Sequence, residues 1–268
     1  MRTLSFIIAM SAIAAGIFLV LVYYWQSSMI LLPGIQGGSS DVLAQCGPGS
    51  KAWRKGDRYL GKVCEPSGEA QGTIVVYHGN AGTVDDRAFL ASELTARGFR
   101  VVLAEYPGFG AREGSATIRQ VLDASLDDFE VAQATWPAPL YILGESFGTG
   151  IAAVIAKRHP DNVAGLLLIT PWDSLANVVN ALFPLPLAFL LYERFDNVAA
   201  LSAYRGNVVI VAAGRDEVLP VRHARALAKA TPSAAYIELP HAGHNDWPAH
   251  LSESDWRRMI GFMAKGTR

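Results

Sequence analysis

The sequence predicts an α/β protein with a mostly parallel, doubly wound sheet, preceded by one N-terminal transmembrane helix. Fully apolar, β-branched runs such as TIVVY (73–77) alternate along the chain with amphipathic helical patterns. This alternation is typical of a parallel sheet that is covered by helices on both faces. A separate uncharged run, Leu4 to Trp25, precedes these strands. It is longer than the roughly 20 apolar residues that a spanning helix needs.

Length and charge limit the possible classes of protein. With 268 residues and a formal net charge of −1, the chain is long enough for a single globular domain and carries no basic excess. Both signs of charge are scattered, so we expect no nucleic-acid partner. We expect three parts: an anchor at 1–28, a linker and entry loop rich in Gly, Ser and Pro at 29–58, and the main domain at 59–268.

The N-terminal run has the flanks of a membrane anchor. Tyr23 to Trp25 form an aromatic end, as at a membrane interface. Arg2 precedes the run, and the next basic residue is Lys51. This asymmetry predicts a cytoplasmic N-terminus and an extracytoplasmic domain, which would be periplasmic in a Gram-negative bacterium. A cleaved signal peptide is the alternative, although its apolar core spans only about 7–15 residues.

Two cysteines, Cys46 and Cys64, flank the entry to the first strong strand. In an oxidising compartment they would be able to pair, and two free thiols remain the alternative. Their spacing does not match a metal site, and we expect neither a metal nor another cofactor.

The remaining elements follow in order along the chain. Strands are expected at 73–79, 99–108, 139–146, 163–172, 206–216 and 233–240. Helices are expected at 84–98, 115–136 with a cap at Ser115, 148–160, 222–231 and 249–265. Polar stretches fall at the carboxyl ends of several strands, where ligands bind in sheets of this kind.

One insertion, at about 172–205, interrupts this alternation. It is apolar and is broken by Pro184 and Pro186. Its length predicts a lid over an apolar pocket, with the large side chains Phe183, Leu187, Phe189 and Leu190 lining that pocket. A connecting helix packed on the body of the domain is the alternative.

The stretch GESFG places Ser146 between two glycines, after a strand and before a helix. Glycines allow the sharp turn that lifts a serine hydroxyl above a sheet, and the following helix directs its partial positive charge to the same place. The motif alone is weak, but in this position it predicts a nucleophile.

A nucleophilic serine needs a base and an acid that orients the base. In this type of fold the order is serine, acid, histidine. Asp216 follows a strand in GRDEVLP, and His244 follows the last strand in HAGHND. We therefore expect Asp216 as the acid and His244 as the base, with Glu217 and His241 as the alternatives.

The other candidates are expected to have structural roles. Asp173 and Asp246 are minor alternatives for the acid, and Asp246 is expected to be solvated or to cap a loop. His159, His223 and His250 are expected on the surface.

An oxyanion hole needs two backbone N–H groups aimed at the developing charge. We expect one from Phe147, directly after the serine, and one from Asn80 in YHGNAGT, with Ala81 as the alternative. His78 is expected to brace this loop.

YHGNAGT, EYPGFG, GESFGTG, GRDEVLP and HAGHND together resemble the α/β-hydrolase superfamily, over essentially everything after residue 60. They look most like its compact, often membrane-anchored serine hydrolases, which include depalmitoylases and lysophospholipid lipases. The resemblance implies a triad of Ser146, Asp216 and His244 that attacks an ester, a thioester or, less often, an amide. We expect cleavage of an ester or thioester through an acyl-enzyme. The resemblance also implies an acyl ester or lipid as the substrate, with an apolar acyl group suggested by the insertion.

Two other functions remain open. A peptidase or amidase would use the same triad, and a non-catalytic binding protein would use the same fold.

Overall fold

The computed structural model describes residues 2–34, 46–137, 139–183 and 185–266. These residues form an eight-stranded sheet in the order β1-β2-β4-β3-β5-β6-β7-β8. β2 pairs antiparallel with β1 and with β4, and the other neighbours are parallel. The strands are β1 Lys51–Lys55, β2 Arg58–Cys64, β3 Thr73–Tyr77, β4 Arg100–Ala104, β5 Leu140–Glu145, β6 Gly165–Ile169, β7 Asn207–Ala213 and β8 Ala235–Leu239.

Helices cover both faces of this sheet, and one long helix precedes it. They are α1 Arg2–Ile30, α2 Ala88–Thr95, α3 Ile118–Thr135, α4 Phe147–Arg158, α5 Leu175–Leu182, α6 Asn197–Leu201, α7 Arg222–Ala230 and α8 Glu253–Met263. Successive residues of β3 enter different apolar clusters, Val75 and Tyr77 on one face and Ile74 and Val76 on the other. A strand buried on both faces needs apolar side chains at every position, which explains the unbroken apolar runs. The predicted mostly parallel, doubly wound fold is confirmed.

Three predicted helix starts differ from the observed ones. The stretch Val84–Arg87 is a 3-10 turn, so α2 begins later than expected. Thr117, rather than Ser115, caps α3 by accepting the N–H of Gln120. The closing helix begins after a cap at Ser252, following a separate 3-10 turn.

The segment predicted as a linker contains ordered structure. β1 and the start of β2 lie within it, and Trp53 is buried between the sheet and α3. Residues 35–45 of that segment lie outside the described residues. Cys46 and Cys64 form a disulfide with a Cα–Cα distance of 5.3 Å, which closes a loop around β1.

The N-terminal helix has two different parts. Thr3–Ile30 is long and apolar enough to cross a membrane. Most of its side chains are exposed, but Gln26 and Ser27 near its end are buried, as is Leu31 just beyond it. The end of α1 is therefore packed into the domain, while the earlier turns project from it.

Candidate active site

Ser146 occupies a sharp turn between β5 and α4. Its φ is 51°, in the left-handed region that residues other than glycine seldom adopt. A Cβ on Gly144 would lie 2.5 Å from the carbonyl oxygen of Gly148, and one on Gly148 would lie 2.0 Å from the carbonyl oxygen of Tyr77. Both glycines of the motif are therefore required by the close approach of α4 to the strands.

The structure brings the three predicted triad side chains together. Nε2 of His244 lies 2.9 Å from Oγ of Ser146, and its Nδ1 lies 2.7 Å from Oδ2 of Asp216. Asp216 follows β7 and His244 follows β8, so the parallel strands deliver both to the edge where Ser146 stands. All three side chains are buried or nearly so.

Hydrogen bonds from the loops fix this arrangement. Oδ1 of Asp216 accepts the N–H groups of Val218 at 2.9 Å and Leu219 at 2.6 Å. The alternative acid, Glu217, accepts the main-chain N–H of His244 at 3.3 Å instead. The alternative base, His241, is exposed. Asp216 and His244 thus occupy the positions expected of the acid and the base.

The turn of His244 is held by the capping contact expected of Asp246, whose Oδ1 accepts the N–H of Gly243 at 2.6 Å. Trp172, which the sequence did not single out, donates its indole N–H to the carbonyl oxygen of Ser146 at 3.1 Å.

Asn80 and Phe147 lie beside Ser146 in the wall of one cavity. Among the residues that the structure describes, neither main-chain N–H donates to a protein acceptor. Two other polar groups of Asn80 are occupied: its Nδ2 donates to the carbonyl oxygen of Ile30 at 2.7 Å, and its main-chain carbonyl oxygen accepts the N–H of Leu32 at 2.8 Å. The end of α1 therefore holds the loop that carries Asn80.

His78 braces the same loop from below. Its Nδ1 lies 2.8 Å from the carbonyl oxygen of Gly79, and its Nε2 lies 3.1 Å from Oε1 of Glu105. Tyr106 donates its hydroxyl to the carbonyl oxygen of His78 at 2.7 Å, and burial raises the pKa of Tyr106 well above its usual value. Tyr106 therefore stays neutral and remains a donor.

An apolar cavity of about 240 Å³ opens beside Ser146. Three groups of residues line it: Val22, Gln26, Met29 and Ile30 from α1; Trp172, Leu175, Val178, Val179, Leu182, Phe183, Leu187, Leu190 and Leu191 from the insertion; and Asn80, Ser146, Phe147, Val218 and Leu219 from the body. Of the four predicted lid residues, Phe183, Leu187 and Leu190 line the cavity. Phe189 does not, and its side chain is 61% exposed. Pro184 lies outside the described residues.

A second acid–histidine pair was not predicted. His223, expected on the surface, is buried, and its Nδ1 lies 2.8 Å from Oδ1 of Asp173. Asp173 also accepts the N–H of Ser174 and the side-chain amide of Asn177, so the pair ties α7 to the base of the insertion. Within the described residues, no cluster of three or more potential ligands is able to hold a metal ion.

The chain is similar to several known proteins. The family model described as serine aminopeptidase, S33, matches residues 68–200. An uncharacterized protein of Mycobacterium tuberculosis is 30% identical over 266 residues, which cover 91% of this chain and 89% of that protein. The lysophosphatidylserine lipase ABHD12 of Danio rerio is 30% identical over 151 residues, which cover 54% of this chain and 39% of the lipase.

Solved structures agree on the fold. A Pyrococcus furiosus esterase matches with a TM-score of 0.68 at 13% identity, covering 89% of this chain and 99% of the esterase. Est1E of Butyrivibrio proteoclasticus, solved with ferulic acid bound, matches with a TM-score of 0.64 at 18% identity, covering 81% of this chain and 96% of Est1E. Together with the relative that matches over nearly its whole length, these similarities show that the chain belongs to the α/β-hydrolase family.

Proposed function

We propose that this chain is a serine hydrolase that cleaves a carboxylic ester or thioester with an apolar acyl group through an acyl-enzyme. The observation that carries the proposal is the continuous chain of contacts from Ser146 through His244 to Asp216, at 2.9 and 2.7 Å, at the edge of an apolar cavity. When the acyl chain of a substrate is bound in that cavity, its carbonyl carbon is within reach of Oγ of Ser146.

Each residue of the triad has one role. Oγ of Ser146 attacks the acyl carbonyl carbon while Nε2 of His244 takes the hydroxyl proton. Asp216 accepts the Nδ1–H of His244, which fixes the ring orientation and stabilises the imidazolium. Nε2 then gives the proton to the departing alcohol or thiol. In the second half, Nε2 takes a proton from water, the hydroxide attacks the acyl-enzyme, and the acid is released as Oγ regains a proton.

The main-chain N–H groups of Asn80 and Phe147 would bind the oxygen that becomes negative in the tetrahedral intermediate. Both lack a protein acceptor among the described residues, and Phe147 begins α4, whose N-terminus carries partial positive charge. Donors fixed in advance are worth more here than in water, because Ser146 is buried and the cavity beside it is mostly apolar.

A peptidase that recognises a free amino terminus is the second candidate, favoured by the description of the matching family model. Such an enzyme needs a carboxylate near the scissile bond to bind the substrate ammonium group. The described residues that line the cavity include no aspartate or glutamate. An acyl chain satisfies this lining, and the name of the lysophosphatidylserine lipase relative agrees with that choice.

The test is labelling of the full-length protein in detergent with a fluorophosphonate, which phosphonylates an activated serine and releases fluoride. We expect an adduct on Ser146 that is absent in His244→Ala. The wild type should hydrolyse p-nitrophenyl acyl esters faster than aminoacyl-p-nitroanilides. No adduct on folded protein would favour the non-catalytic binding protein, and faster anilide cleavage would favour the peptidase.

We also propose that α1 anchors the enzyme in a membrane with the catalytic domain outside the cytoplasm. The disulfide between Cys46 and Cys64 supports this, because disulfides persist in oxidising compartments. The buried contacts of Gln26 and Ser27 support an uncleaved helix. Intact-mass measurement of membrane fractions should find the N-terminal helix retained, and protease added outside the cytoplasmic membrane should reach the domain. A domain protected from that protease would reverse the orientation.

A further inference from the structure

The last two turns of α1 make polar contacts with the lid, here defined as residues 172–205. Nε2 of Gln26 donates to the carbonyl oxygen of Leu190 at 3.2 Å, and Oε1 of Gln26 accepts the N–H of Tyr192 at 3.3 Å. The hydroxyl of Ser27 bonds to that of Tyr192 and also accepts the N–H of Ile118 at 3.2 Å. Since Gln26 is only 5% exposed, these contacts are made inside the domain.

One face of the same helix lines the cavity beside Ser146. The lining residues Val22, Gln26, Met29 and Ile30 are spaced i, i+4, i+7 and i+8, which places them on a single stripe. At 1.5 Å per residue, the stripe is roughly 12 Å long along the helix axis. Residues of the lid line the same cavity, so α1 and the lid together bound the space beside Ser146.

The outer end of this stripe coincides with the end of a membrane span. A span of roughly 20 residues counted from Thr3, where the apolar helix begins, ends at Val22. Apolar side chains of the lid are also exposed: the ring of Tyr192 contacts that of Tyr23 on α1, and Leu185 and Phe189 are 54% and 61% exposed. An exposed apolar surface continuous with a spanning helix is expected to lie against lipid.

We propose that α1 is one wall of the substrate site as well as an anchor. Its stripe (Val22, Gln26, Met29, Ile30) contacts the acyl chain, and the mouth of the cavity opens at the membrane surface between α1 and the lid. The substrate is a lipid ester whose chain passes from the bilayer along α1 to Ser146 without crossing water. This inference rests on the proposed hydrolase activity and names its substrate class.

The role of α1 as a wall is tested by substitutions that narrow the cavity beside it. The full-length enzyme in detergent is assayed on p-nitrophenyl acetate and p-nitrophenyl dodecanoate, and the ratio of kcat/KM for dodecanoate to that for acetate is compared among variants. We expect Met29→Trp to lower this ratio at least tenfold, because the indole fills the space beside the chain. Val22→Trp, at the open end of the stripe, should lower it in the same direction and is less able to disturb folding.

Met10→Trp is the matched control, since Met10 lies on α1 but is exposed and far from the cavity. It should leave the ratio unchanged. An unchanged ratio in both cavity variants, in an active wild type, would refute the wall while leaving the hydrolase intact. A wild type that neither labels at Ser146 nor cleaves either ester would refute the proposed function, and this inference with it.

The mouth is tested separately with Phe189→Glu, which places a charge on the lid outside the cavity. The readout is the ratio of the rate on a lysophospholipid in phosphatidylcholine vesicles to the rate on soluble p-nitrophenyl acetate, both with enzyme reconstituted in those vesicles. We expect this ratio to fall about tenfold. Ala134→Glu, exposed at the far end of α3, is the control and should not change it. Equal ratios in the two variants would place the mouth away from the bilayer.

Discussion

Replacing Asp216 with asparagine tests how the acid acts on the base. The side chain of Asp216 is 2% exposed, and both of its oxygens have hydrogen-bond partners. Oδ1 holds two main-chain N–H groups, from Val218 and Leu219, while Oδ2 faces Nδ1 of His244 at 2.7 Å. The substitution keeps the shape of the side chain but turns one acceptor into a donor.

The two main-chain donors decide which way the asparagine amide turns. With its NH₂ group towards Val218 and Leu219, it would lose two hydrogen bonds worth roughly 1 kcal/mol each. The amide oxygen therefore keeps the position of Oδ1, and the NH₂ group faces His244. It donates to Nδ1, which moves the ring proton to Nε2. A ring protonated at Nε2 is unable to take the proton of Ser146.

We expect kcat for ester hydrolysis to fall about 10⁴-fold, which corresponds to about 5 kcal/mol of lost transition-state stabilisation. The assay is hydrolysis of a p-nitrophenyl ester by the full-length enzyme, with the rate of fluorophosphonate labelling as a second readout. Glu217→Gln is the matched control, because among the described residues that carboxylate accepts a hydrogen bond from the main-chain N–H of His244 and from no other group. The Glu217→Gln substitution should lower kcat less than tenfold. A loss below tenfold in Asp216→Asn, together with a larger loss in Glu217→Gln, would refute the assignment.

Two further predictions concern stability, measured by thermal and urea unfolding in detergent. Gly148→Ala should destabilise the fold by about 1–3 kcal/mol or more, because its Cβ would lie 2.0 Å from the carbonyl oxygen of Tyr77. Gly261→Ala, with nothing within 4 Å of the new Cβ, should instead stabilise α8 by up to about 1 kcal/mol. Equal effects of the two substitutions would contradict the packing argument. Removing both Cys46 and Cys64 should lower the free energy of unfolding by about 3 kcal/mol, because the bond restricts a loop whose ends are 18 residues apart. A reductant should lower the stability of the wild type to that of the double variant. Equal stability of the oxidised wild type and the double variant would show that the loop is already ordered without the bond.

Short-range patterns made much of the fold and the site predictable. A buried parallel strand requires an unbroken apolar run, and such runs located all but the first two strands. Because parallel strands end at one edge, the residues after β5, β7 and β8 were expected to meet there. Ser146, Asp216 and His244 do so. The roles of these residues in catalysis remain predictions until the variants are assayed.

Long-range pairing was not predictable in the same way. His223 was expected on the surface, although it stands four residues before buried Leu227 and therefore on the same face of α7. What the sequence lacks is any sign that Asp173, fifty residues away, lies against that face. Phe189 illustrates the converse: in a proline-broken insertion with no helical period, apolar character alone does not say which side chains point inward.

The N-terminal helix shows most clearly why composition alone was insufficient. An apolar run near the N-terminus is compatible with an anchor or with a signal peptide, because both kinds of segment are apolar whatever domain follows them. The contacts of the last turns of α1 support the anchor that we propose. Cleavage beyond Leu32 would remove Gln26 from the lid and the main-chain partners of Asn80 from the loop beside Ser146. Those groups would then be left unpaired in a site that needs fixed geometry, and this is why we propose that α1 stays uncleaved.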